Sequence, residues 1–141
     1  MKTIAHACFI TSLAFSIQSA TAVTTGSPPN CTKQKCVVSV SVGGNSCGAG
    51  ISVSPDPIIV STADGGPVTI TWKVTGGWDF DGNGIVVVLP GNDIKVGKLD
   101  PAKKDTFTAT NAAKTKASYK YDINLVKGEA KCNLDPTIVN H

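Results

Sequence analysis

Apolar and polar residues alternate with a period of two along most of this chain, and no window sustains a 3.6-residue apolar period. The predicted elements are therefore strands, not helices. The most regular places Ala117, Tyr119, Tyr121, Ile123 and Leu125 on one face and Ser118, Lys120, Asp122 and Asn124 on the other. Val38, Val40 and Val42 oppose Ser39 and Ser41 in the same way. Ile51 and Val53 begin a strand that Pro55 and Pro57 cut short, which demotes it to a sheet edge. Ile58, Ile59 and Val60 form a short buried run, and Phe107 anchors a strand over residues 105–110 against Thr106, Thr108 and Thr110. Residues 130–132 return and 134–140 close the chain, whereas 95–105 are too polar for a core strand and read as a loop.

Residues 68–89 read as the centre of this arrangement. Val68, Ile70, Trp72 and Val74 alternate with Thr69, Thr71 and Lys73, and residues 85–89 are continuously apolar. A half-buried strand then meets a fully buried one in a hairpin that turns through Asp79-Phe80-Asp81-Gly82-Asn83-Gly84. Seven to nine short strands separated by Gly, Pro, Asn and Asp turns predict an all-β fold, a single Greek-key β-sandwich.

Composition adds the compartment. Lys2 precedes an apolar stretch containing Ala7, Phe9, Ile10, Leu13, Phe15 and Ile17 that ends in Ala20-Thr21-Ala22, the pattern of a signal peptide over residues 1–22. Ser12, Ser16, Gln18 and Ser19 interrupt it, against the roughly 20 apolar residues of a membrane span. Cleavage after Ala22 leaves 119 of the 141 residues: a polar leader over 23–34, then one β-sandwich domain over 35–141. Cys8 leaves with the signal. The remaining Cys31, Cys36, Cys47 and Cys132 are an even set in an exported chain and predict two disulfides, with all pairings open. They lack the CxxC spacing or the histidines of a zinc site. The expected location is secreted or periplasmic.

Charge is uneven along the chain. All thirteen basic residues are lysine. Over residues 23–94 three lysines meet five aspartates, a net of −2, and over 95–131 nine lysines meet three aspartates and Glu129, a net of +5. The second half presents a lysine-bearing surface, which keeps strand faces soluble and discourages edge pairing, or attracts anionic polymers and membrane surfaces. Without arginine or a basic cluster interleaved with aromatics, no nucleic-acid partner is expected.

The run Ala117-Ser118-Tyr119-Lys120-Tyr121-Asp122-Ile123 resembles the penultimate strand of cupredoxins and cupredoxin-like secreted domains. The resemblance implies a cupredoxin-like sandwich in which Ile123 stands where the copper-ligating cysteine would be, followed by a histidine and usually a methionine. Here the only mature histidine is the terminal His141 and Met1 leaves with the signal, so the copper ligands are absent and no cofactor is expected. An immunoglobulin-like sandwich fits the same strands, although the Cys and Trp spacing is not that of antibody domains.

Candidate chemistry concentrates near residue 80. Asp79, Asp81 and Asn83 match the opening of a calcium loop, where oxygens at alternate positions converge as Gly84 turns the chain. Where an EF-hand needs its bidentate Glu the chain has Pro90, so the competing reading is a turn built from residues that tolerate positive φ. Trp78 and Phe80 form an exposed aromatic platform or line the core with Trp72 and Val74, depending on which way Gly76-Gly77 sends them. Tyr119 and Tyr121 read as core residues whose hydroxyls reach a partner. No histidine is placed to serve as the base of a Ser-His-Asp or Cys-His arrangement, and a domain this small offers little cleft for the Asp79/Asp81 carboxylate pair.

The expectation is a monomeric, exported, non-catalytic binding or cell-envelope interaction protein with a protein or glycan partner. Its binding residues are Trp78, Asp79, Phe80, Asp81 and Asn83. The alternatives are a secreted inhibitor or immunity-type protein acting through a loop, and a calcium-stabilised carbohydrate-binding module.

Overall fold

The computed structural model describes residues 30–31, 34–88 and 92–141. The predicted signal peptide, most of the leader and the end of the 85–89 run lie outside them. Apart from one 3₁₀ turn, Cys47–Ala49, the elements are ten strands in two sheets, a β-sandwich. β1 (Lys35–Val42), β2 (Ile51–Ser54), β4 (Val68–Val74), β6 (Ile94–Val96) and β7 (Thr106–Asn111) form one sheet, ordered β2-β1-β4-β7-β6. β3 (Ile58–Val60), β5 (Asp79–Val88), β8 (Ala117–Lys127), β9 (Ala130–Leu134) and β10 (Thr137–Asn140) form the other, ordered β3-β10-β8-β5 with β9 also on β8. β1 runs parallel to β4 and β3 parallel to β10; every other strand pair is antiparallel.

Each sheet turns one face inward. Val38 and Val40 of β1, Ile70 and Trp72 of β4, and Tyr121 and Ile123 of β8 are fully buried between the sheets, as their alternation predicts. The prolines around residue 55 do leave β2 at an edge.

Among the described residues ten strands form, rather than seven to nine, with β6 the added one. Residues 94–96 pair with β7 instead of joining the loop, because an edge strand needs only one inward apolar side chain, here Ile94. The closing strand is divided at Pro136. β9 and β10 keep one register along β8, from Lys127 opposite Ala130 to Ala117 opposite Asn140. Tyr121 N–H donates to the Pro136 carbonyl at 3.2 Å, but proline has no N–H to return.

The hairpin expected at residues 68–89 does not form. β4 and β5 belong to different sheets, and residues 75–78 carry the chain across the sandwich. Gly76 (φ 80) and Gly77 (φ 74) make the crossing, in backbone conformations that a side chain would strain. Nor is the 85–88 stretch at the end of β5 fully buried, since Val86 and Val88 are 41% and 46% exposed on the outward face of the sheet. A two-residue hairpin does join β8 to β9, closed by Gly128 (φ 59) and Glu129.

Trp72 Nε1 donates to the Tyr121 hydroxyl at 3.2 Å, with the rings 5.4 Å apart, so the two sheets meet in a hydrogen bond as well as by packing. Burial pushes the Tyr121 hydroxyl far above its ordinary 10.0, the Trp72 hydrogen bond offsets part of that, and the Asp56 charge adds to it. The folded state keeps this proton where the unfolded chain releases it, so stability falls as pH rises past about 10. In thermal melts across that range, Tyr121→Phe is expected to show a shallower alkaline loss than the parent. It should start about 1–3 kcal/mol lower at neutral pH, because the Trp72 N–H loses its acceptor.

Cys31–Cys36 ties the segment before β1 to β1 itself, whereas Cys47–Cys132 ties the 3₁₀ turn to β9 in the opposite sheet. Two disulfides point to an oxidising, extracytoplasmic environment. Among the described residues no helix is long and apolar enough to cross a membrane. The sequence separations are 5 and 85. On a loop-entropy basis the two bonds constrain the unfolded chain by about 2 and about 4.6 kcal/mol respectively. Replacing Cys47 and Cys132 by Ala should therefore lower the urea-unfolding free energy by about 2.5 kcal/mol more than replacing Cys31 and Cys36; equal losses would contradict this difference.

Candidate functional site

Trp78 and Phe80 are each 1% exposed, so neither presents a ring to solvent and the aromatic platform is not formed. The Gly76-Gly77 crossing turns both inward. Trp78 Nε1 donates to the Gly44 carbonyl at 3.0 Å, and Phe80 meets Phe107 edge-on with centroids 5.7 Å apart. Lys127 fastens the crossing from outside, its Nζ donating to the Gly76 carbonyl at 2.8 Å and to Asn45 Oδ1 at 2.9 Å.

The Asp/Gly/Asn run is a bulge inside β5, not a turn at a hairpin tip. Between the pairs Phe80/Leu125 and Ile85/Ile123, β5 has residues 81–84 where β8 has only Asn124. These extra residues move the inward positions from even to odd numbers, from Phe80 to Ile85 and Val87. Asp81 Oδ1 accepts the Asn83 N–H at 2.7 Å, Asn124 Nδ2 donates to the Asn83 carbonyl at 3.0 Å, and Asn133 Nδ2 donates to Asn124 Oδ1 at 2.9 Å. Asp79 and Asp81 are half-buried and Asn83 is exposed. Among the described residues, no three His, Cys, Asp or Glu side chains converge as a metal site. Gly84 is demanded by contact, since a Cβ there would lie 2.6 Å from Phe80 Cβ and 2.9 Å from the Phe107 ring.

The bulge faces part of the lysine-bearing half. Gly82, Asn83 and Val86 share a groove of about 500 Å³ with Lys98, Leu99 and Lys104 from the β6–β7 connection. β5 is an edge strand. Its Phe80 N–H donates to the Lys104 carbonyl at 2.8 Å, and beyond that point no described strand pairs with its outer side.

A second site lies at the other end of the sandwich, where β7 ends and β8 begins. Asp93, Asn111 and Asn140 are 5%, 0% and 3% exposed. Asn111 of β7 and Asn140 of β10 join the sheets through Asn111 Nδ2 to Asn140 Oδ1 at 2.6 Å and Asn140 Nδ2 to Asn111 Oδ1 at 3.3 Å. Asp93 Oδ2 accepts from Thr115 N–H at 2.8 Å, the Tyr119 hydroxyl at 3.3 Å and Asn140 Nδ2 at 3.5 Å. Burial, and then the Asp93 charge, push the Tyr119 hydroxyl above its usual range. Ala113, left-handed at φ 49, is held by its N–H to Asn111 Oδ1 at 2.9 Å. A cleft of about 590 Å³ opens beside Asp93.

Tyr119 thus finds the hydroxyl partner its strand position predicts. Asp93 gave no warning of its burial, because Pro90-Gly91-Asn92-Asp93 has the composition of any surface turn. No known family model and no curated protein matches this chain.

Gly84→Ala is expected to lose about 1–3 kcal/mol through forced movement of Phe80 and Phe107. Gly82→Ala, whose Cβ meets nothing within 4 Å, should stay within about 0.5 kcal/mol of the parent. Urea denaturation of the pair checks the packing of the bulge.

Proposed function

We propose that this chain is an exported, non-catalytic binding protein that takes an extended, acidic protein segment along the free edge of β5. The signal-peptide pattern and the two disulfides support export. The parallel pairs β1/β4 and β3/β10 favour the cupredoxin-like reading over the immunoglobulin-like one, whose sheets are antiparallel. In that reading β8 runs on past Ile123 to Lys127 as a paired strand, in the stretch where a copper loop would begin.

The groove beside the bulge carries the binding reading. An unpaired strand edge offers N–H and C=O groups to an added strand, Val86 adds apolar contact, and Lys98 and Lys104 attract carboxylates. The bulge at 81–84 interrupts the pairing pattern, so residues 85–88 are the segment that receives the partner. The loop-insertion and carbohydrate readings have less support, because the candidate loop is held within a strand and its aromatic rings are buried.

The test is NMR titration of the oxidised mature protein with an alternating Glu/Val peptide and its Lys/Val counterpart. The acidic peptide should shift the amides of residues 85–88, and the double variant Lys98→Glu, Lys104→Glu should weaken it roughly tenfold. Shifts scattered over lysines on every face, or equal binding of both peptides, would overturn the reading.

A further inference from the structure

The Asp93 cleft is distinct from the β5 groove and its interpretation does not depend on it. Asp93 is only 5% exposed, yet its two oxygens are used differently. Oδ2 takes all three protein donors, Thr115 N–H, the Tyr119 hydroxyl and Asn140 Nδ2. Among the described residues no donor reaches Oδ1, and no fully buried side-chain oxygen is left without a partner. Asp93 lines the cleft, and Oδ1 is the oxygen that its described hydrogen bonds leave to accept from a ligand there. Held from behind by three hydrogen bonds, it is an acceptor that needs no reordering to meet a ligand.

We propose that this cleft binds a small zwitterion, with an ammonium group on Asp93 Oδ1 and a carboxylate on Lys95 and Lys114. A carboxylate oxygen can only accept, and its strongest match is a charged donor. Lys95 and Lys114 line the same cleft and can only donate, so they match an anion. A purely cationic ligand leaves the lysines unmatched, and a purely anionic one meets Asp93. The other walls include Gly65, Gly66 and Ala113, and among the described residues no aromatic ring lines the cleft as a platform for a stacked sugar or base. The volume, about 590 Å³, falls within the range of small-molecule sites. Free α-amino acids and short peptides both carry this pair of charges.

The test uses the oxidised mature protein with glycine, trialanine, N-acetyl-trialanine and trialanine amide, read by calorimetry and by amide shifts. Trialanine is expected to shift Gly65, Gly66 and Thr115. N-acetylation should weaken it roughly tenfold or more, because the charged donor is gone. Amidation should weaken it less, because the lysines are exposed. Glycine binding as tightly as trialanine assigns the site to free amino acids; tighter trialanine assigns it to peptides. The capped ligands test Asp93 without altering a residue that also supports the fold. The double variant Lys95→Gln, Lys114→Gln should abolish the difference between trialanine and its amide. The proposal is overturned by equal binding of N-acetyl-trialanine, by a difference that survives the lysine variant, or by no cleft shifts with ligand on the order of 10 mM.

Discussion

Two packed sheets leave each strand one face to bury, and the irregularity of β5 follows from keeping that face inward. Phe80 and Ile85 are five positions apart, so a regular strand would send one of them to solvent. Both are buried, at 1% and 3% exposure, and each buried side chain of this size contributes about 1.5–3 kcal/mol. An odd number of extra residues restores the inward parity, and the bulge supplies it. Gly84 then follows from the closeness of Phe80 and Phe107, and Asn124 from the carbonyl that the bulge leaves outside the ladder. Within the Asp/Gly/Asn run that resembles a calcium loop, this geometry accounts for Gly84 by contact and for Asp81 by its bond to the Asn83 N–H.

What the sequence made legible was local. The inward faces of β1, β4, β7 and β8 could be read from alternation because side-chain direction in a strand depends only on position. Which sheet a strand joins depends on a partner far along the chain, so the step from β4 to β5 was misread as a hairpin although both sides of it were recognised as strands. The glycine pair held the missing information, since consecutive residues at positive φ redirect the backbone. Edge strand β6 escaped notice because its pairing is made by backbone atoms, to which side-chain polarity is blind. The disulfide pairing and the burial of Asp93 likewise exist only once the sheets have met.

The site followed the same division. Asp79, Asp81 and Asn83 were found because residue type alone marks them, and of the three side chains Asp81 takes a local bond, accepting the Asn83 N–H. Lys98 and Lys104 were visible only as part of a charge excess until the β6–β7 connection set them beside the bulge. Asp93 became chemically distinctive through the three donors that occupy one of its oxygens, and those come from β10, the start of β8 and the turn before it.

The two ends of the sandwich are closed by different means. Near Lys127 the sheets are joined through Cys47–Cys132, while at the far end Asn111 and Asn140 join them by paired amides, beside the Cys31–Cys36 bond between β1 and a residue bridged to β3. Neutral amide pairs keep their strength across pH and salt, but they open reversibly as a covalent bond does not. The Asp93 cleft lies at the amide-paired end and already stands open, so a small solute enters it without any dedicated lid.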